Sequence, residues 1–299
     1  MIEEPGGPAA SPGSPRRLIL IIAAVVVAVV IVVSIIGYGV VGYAFASSRI
    51  AAARSAYNTV VSHQNAITDE FNTLDTKMTA LSLSTATSSD LQQNRAAYVQ
   101  LVTQSQSAQP TLTHDDAFLR TAQARLYQSS WLTLIRRSDL DQASAKLGHE
   151  RKALADAKAI AGDLVQLGTF YQGFYDSLID LDTLTAKATA SDFTGAAAAI
   201  GTLKSDISKA VDLSSAPGLP PEMKLFLTDF QTLAMDVGKL LNAVIAGDTN
   251  GVQADVKAVD ADNTKIETYD FNKMSAATKA FYQRMIDAFN AEASIANSM

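Results

Sequence analysis

The sequence contains no cysteine, one tryptophan and three histidines among its 299 residues. Without cysteine there are no disulfides, no thiolate metal sites, no cysteine nucleophile and no lipoprotein attachment. This suits an oxidising compartment such as a bacterial envelope. The histidines are His63, His114 and His149, and no two of them make an H-x-x-x-H or H-E-x-x-H set. None has the Glu-x-x-His spacing of di-iron bundles, so solvent-exposed or capping roles are expected for all three. G-x-S-x-G, S-x-x-K and P-loop patterns are also missing, and Gly195 and Gly201 sit among alanines. Asp176, Asp180 and Asp182, and likewise Asp260, Asp262 and Asn263, read as solvated helix faces, because the second group lacks the glycine and terminal Glu of a calcium loop. No metal, no cofactor and no enzymatic activity are expected.

Charge is scarce and leans one way. Charged residues make up 18% of the chain, with a net charge of −6. Glu3 and Glu4 offset Arg16 and Arg17, so the whole excess belongs to the remainder. A mildly acidic chain argues against nucleic acid and against adhesion to anionic lipid.

Proline is rare beyond the first stretch, at Pro110, Pro217, Pro220 and Pro221 only. Residues 1–17 hold the other four, within a Pro/Gly/Ser-rich tail expected to be disordered and cytoplasmic. Leu18 to Ser48 carries no charge at all. Roughly 20 apolar residues cross a hydrocarbon core of about 30 Å, so residues 18–46 are expected to be a single transmembrane helix. Tyr38, Tyr43 and Phe45 would meet the headgroups. Ala44-Phe45-Ala46 has the form of a signal-peptidase site, but the apolar run is longer than a signal region. Ser14-Pro15-Arg16-Arg17 reads as the basic flank of an anchor. With Arg49 and Arg54 after the span, the basic count is level and the free amino terminus favours an inward N-terminus. The expected location is therefore the cell membrane, single-pass, with residues 47–299 outside.

Beyond the run, the absence of breakers leaves long stretches free to be helical. Ile50, Ala53, Tyr57, Val60, Gln64, Ile67, Phe71, Leu74, Met78 and Leu81 alternate steps of three and four, a heptad seam. Phe226, Phe230, Leu233, Val237, Leu240 and Val244 repeat the pattern. The expected fold is all-α: a transmembrane helix followed by an antiparallel bundle of repeated α-hairpins. Ser89-Asp90, Ser138-Asp139, Ser191-Asp192 and Gly247-Asp248 mark its junctions, spaced 49, 53 and 56 residues apart. Each reads as one helix stopping and Ser or Asp capping the next, Ser89 with Gln92 as a capping box. Such a repeat accommodates two helices of roughly 20–25 residues. Breaks are expected at 82–88, 109–113 and 214–221, the last dividing sub-bundles 47–213 and 222–299. A final helix should run from about Lys273 to Ala296.

One constellation points towards binding. Phe170, Tyr171, Phe174 and Tyr175 form two adjacent aromatic ridges at i and i+4, around Gly173. They suit a thick helix–helix contact or, alternatively, an aromatic groove for a ligand or partner helix. Trp131 is expected in the core.

Tyr57-Asn58-Thr59-Val60-Val61, Asn65-Ala66-Ile67, Phe71 and Leu74-Asp75 follow the apolar run directly. This segment resembles the opening helix of the LemA family of membrane-anchored helical proteins. The likeness spans residues 57–75 and stops there, since Lys77-Met78-Thr79 replaces the basic Arg-Arg-x-Asp-Leu-Ile-Pro-type segment of that family.

The function expected from sequence is a membrane-anchored, non-enzymatic extracytoplasmic scaffold or protein-interaction module in the envelope. The alternative is a sensory ligand-binding bundle signalling through a partner. Expected contacts are the lipid bilayer through residues 18–46, a protein partner, and a possible second copy of the chain.

Overall fold

The computed structural model describes residues 44–75, 87–128 and 137–299. All regular structure among them is helical: α1 (Ala44–Asp75), α2 (Ser88–Leu126), α3 (Arg137–Thr189), α4 (Phe193–Leu213), α5 (Pro221–Ala246), α6 (Thr249–Glu267) and α7 (Phe271–Ser298).

α3 is the spine. Its 53 residues make a rod of about 80 Å at the standard rise. α2 runs antiparallel to it over 39 residues, as the rungs Arg95–Asp176, Gln172–Tyr98 and Gln123–Ser144 show. α7 also lies antiparallel on α3, with Glu292 against His149 and the Met299 carbonyl against Gln142. α1 runs parallel to α3, since Tyr57 meets Lys146 and Gln64 meets Glu150. α4 folds back along the C-terminal half of α3, α5 packs on α4, and α6 on α5.

Local chemistry explains the short junctions. Asp192, Asp248 and Asp270 each accept the backbone N–H three residues on, at 2.8, 3.0 and 2.9 Å. These are side-chain N-caps that satisfy otherwise orphaned helix donors. Gly247 ends α5 in the left-handed region at φ 68°, where a Cβ would be strained. Pro220 caps α5 and Pro221 opens it, where a missing N–H does no harm. In the 214–221 turn, the Tyr282 hydroxyl donates to the Pro217 carbonyl at 3.1 Å. Gly218 there has φ 84°, and a Cβ on it would come within 2.7 Å of the Tyr282 ring.

Several expectations change. α2 begins one residue after a Thr87 cap with Asp90 closing the capping box, rather than at Ser89 with Gln92. No break occurs at 109–113, because α2 continues through Pro110. The two long helices exceed the 20–25 residues of the hairpin repeat, so repeated α-hairpins do not describe the first half. The turn at 214–221 is present, yet one buried core runs through residues on both sides of it.

The membrane reading is corrected. Among the described residues no helix is long and apolar enough to cross a membrane. The expected span 18–46 lies outside the described residues except for Ala44–Ala46, which open α1. That helix continues through Ser47, Ser48, Arg49 and Arg54 to Asp75. The structure carries an all-α bundle, and the single-pass topology, the bilayer contact and the extracytoplasmic location have no support in it. The membrane-anchored envelope scaffold, and the sensory ligand-binding bundle offered beside it, are corrected with that span. The tail at 1–17 and Trp131 also fall outside the described residues.

Candidate functional site

The aromatic residues singled out from sequence are at the centre of the core. Phe170, Tyr171, Phe174 and Tyr175 are all buried. Tyr98 of α2 stacks on Tyr171 with centroids 4.6 Å apart and on Tyr175 at 5.6 Å. Phe174 meets Phe226 of α5 edge-on at 6.1 Å, and Phe226 meets Phe271 of α7 at 4.9 Å. One aromatic ladder therefore ties α2, α3, α5 and α7 together. Gly168 lets α2 approach closely, since a Cβ there would lie 2.7 Å from Val102. Burial pushes the Tyr171 phenol up to about 12 and raises Tyr98 and Tyr175 as well.

The histidines each face one carboxylate. His149 Nδ1 lies 2.5 Å from Glu292, which is held below the usual carboxylate range by that bond and by Lys152. His63 Nδ1 lies 3.0 and 3.1 Å from the two oxygens of Asp115. His114 sits 3.7 Å from the same carboxylate and is exposed. Among the described residues, no group of three or more His, Asp or Glu side chains is arranged to hold a metal.

The polar feature that sequence reasoning missed lies where α1, α2 and α3 meet. Glu150 has 0% exposure. Its Oε1 accepts from Gln64 Nε2 at 2.8 Å, and its Oε2 is buried without a hydrogen-bond partner. Burial raises its pKa from 4.5 to about 7; the Gln64 bond and Lys146 pull the other way, and Asp115 adds to the rise. Buried carboxylates shift this way because desolvation penalises the charged form. Asp115, from α2, is 1% exposed. The Lys146 ammonium stands 4.2 Å over the Tyr57 ring, and burial and Arg54 lower its pKa. The Tyr57 hydroxyl is buried and unpartnered, and burial with the Glu150 charge raises its pKa. A signal for this cluster existed. Leu140, Leu147, Glu150, Leu154 and Ala161 lie on one buried stripe of α3, so Glu150 is a polar residue at core spacing, as is Gln64 on the α1 seam.

Two carboxylate pairs mark the hairpins. Asp180 on α3 faces Asp206 on α4, and its pKa rises to about 6 through burial and then the Asp206 charge. Asp262 on α6 faces Asp236 on α5 and is raised in the same way. A lysine three residues on serves each partner, Lys209 for Asp206 at 2.6 Å and Lys239 for Asp236 at 2.5 Å.

The α5–α6 hairpin buries few residues along its length. α6 has no buried residue, and beyond Ala234 the only buried residue of α5 is Leu241. Val256, Ile245 and Met235 are exposed on it. Compared with known proteins, the chain matches no family model, no curated protein and no solved structure.

Proposed function

We propose that this chain works without catalysis, as a helical module that holds a second protein against its α5–α6 hairpin. The observation that carries the reading is α6 itself, which packs on α5 yet buries none of its own residues. A 19-residue amphipathic helix gains most of its stability from burying its apolar face. Here Val252, Ala258 and Val259 are only half-covered and Val256 is exposed. Covering such a surface with a partner supplies the missing burial.

Charge suggests the kind of partner. Residues 221–267 hold eight carboxylates and four lysines, and Lys239 and Lys265 are already paired with Asp236 and Asp229. The partner surface would have an apolar centre and a basic rim, which fits the polar-rimmed anatomy of protein interfaces.

The test places a photo-crosslinking amino acid at Val256 in the full chain in its native cells, with the exposed Lys204 of α4 as control. The expected result is a discrete cross-link from position 256 to one other protein, lost when Ile245 and Met235 become Asp while the melting temperature holds. Equal cross-linking from both positions, or cross-links only to a second copy of the chain, would overturn the reading.

A further inference from the structure

Glu150 combines three geometric facts. It is wholly buried, one oxygen takes a single amide hydrogen bond, and the other has no hydrogen-bond partner. The groups around it are engaged elsewhere. From α1, His63 turns to Asp115, and Tyr57 lies beneath Lys146. From α2, the charged neighbour is Asp115, a second buried carboxylate, with the exposed His114 beside it. From α3 itself, Lys146 is one turn away, and Arg54 of α1 approaches that lysine. α7 meets His149, not Glu150, through Glu292. An ionised Glu150 would thus place its charge beside a second buried carboxylate, with no hydrogen bond to its Oε2. A buried charge is costly unless it is paired and fully hydrogen-bonded.

We propose that Glu150 is a proton-binding site that controls how firmly α1 is held against α2 and α3. Protonated, the side chain is a neutral member of the α1–α3 contact and keeps its bond from Gln64. When it loses the proton, the only way to hydrate the charge is to part α1 from α3, so α1 loosens while the aromatic core further along α3 stays closed. The device is local because Gln64, which bonds the carboxyl, and Tyr57, which feels its charge, both lie on the α1 seam.

The test is amide hydrogen exchange on the full chain, normalised at each pH to the rates of unstructured peptides. A carboxyl titrating near neutrality when closed and at 4.5 when open makes the opening of α1 about 30-fold more favourable at about pH 8.5 than at about pH 5.5. Protection over residues 47–67 should fall by that factor in the wild type, while protection around Phe289 should not. Glu150→Gln should flatten the dependence and Asp115→Asn should retain it. A pH-independent wild type overturns the proposal. So does a dependence that survives Glu150→Gln, or one that Asp115→Asn removes instead. Carbon-13 titration of the wild-type glutamate carboxyls gives a second readout that needs no variant. One carboxyl titrating near neutrality is expected, and a full set of ordinary values would refute the site.

Discussion

Phe170→Ala is the sharpest probe of how this bundle is held together. Phe170 has 0% exposure, packs edge-on against Tyr171 at 5.1 Å and lies parallel to Phe174 at 6.1 Å. Truncating a buried aromatic to alanine removes its transfer energy and leaves a cavity, together about 3–5 kcal/mol. The surrounding rings cannot collapse inward cheaply, because Tyr171 and Phe174 are themselves fixed by Tyr98 and Phe226. The upper half of that range is therefore expected. It is a large share of a total stability of about 5–15 kcal/mol, and at this chain size it lowers the melting temperature by on the order of 10 °C. Denaturant unfolding followed by far-ultraviolet circular dichroism measures it, and an unchanged slope would show that the unfolded state is not altered. A loss below about 1 kcal/mol would refute the packed-core account of residues 170–175 and return them to the groove reading.

Three further outcomes are expected. Glu150 favours its neutral form when folded, so the folded chain binds more protons than the unfolded chain between pH 4.5 and about 7. Its contribution is fully present below pH 4.5 and is lost as pH rises through 7, by about 3 kcal/mol in all, and paired melts of wild type and Glu150→Gln should converge at acid pH and diverge above neutrality. Asp248→Ala removes the cap on Gly251 N–H and should cost about 1 kcal/mol, read as faster amide exchange in the first turn of α6. Pro110→Ala restores a donor within α2 where proline offers none to the Gln106 carbonyl, and should raise stability by up to about 3 kcal/mol; a lower melting temperature would mean that the proline bend is itself needed for packing on α3.

What could be read from the sequence was what depends on neighbours in the chain. The junctions at Asp192 and Asp248 were legible because a cap reaches only three residues. The seam through Ala53, Tyr57, Val60 and Gln64 was legible because period and burial agree. Thr87 was missed as a cap because Ser88 and Ser89 offered the same chemistry one step later. Pro110 misled because the proline penalty sets a preference, which the packing of α2 along α3 overrides. Helix length misled for a related reason: nothing local tells Arg137–Thr189 to run as one rod, and its continuity comes from neighbours covering both halves. Glu150 was not singled out because its partner Gln64 is 86 residues away. The membrane span was inferred from the length and apolarity of residues 18–46, yet no described helix is long and apolar enough to cross a membrane, and Ala44–Ala46 open α1.

The position of α7 on the spine has a consequence for the order of folding. Ala293 and Ala296 are fully buried, and Glu292 and Met299 reach residues 143 and 157 positions earlier in the chain. Synthesis proceeds at about 5–20 residues per second, so the N-terminal half of α3 waits on the order of ten seconds or more for its cover. During that interval α1, α2 and α3 stand as an open three-helix layer with an apolar stripe facing water. The chain is thus most prone to aggregation on the ribosome, before residues 271–298 emerge, and a stop codon just before Phe271 would extend that exposure indefinitely.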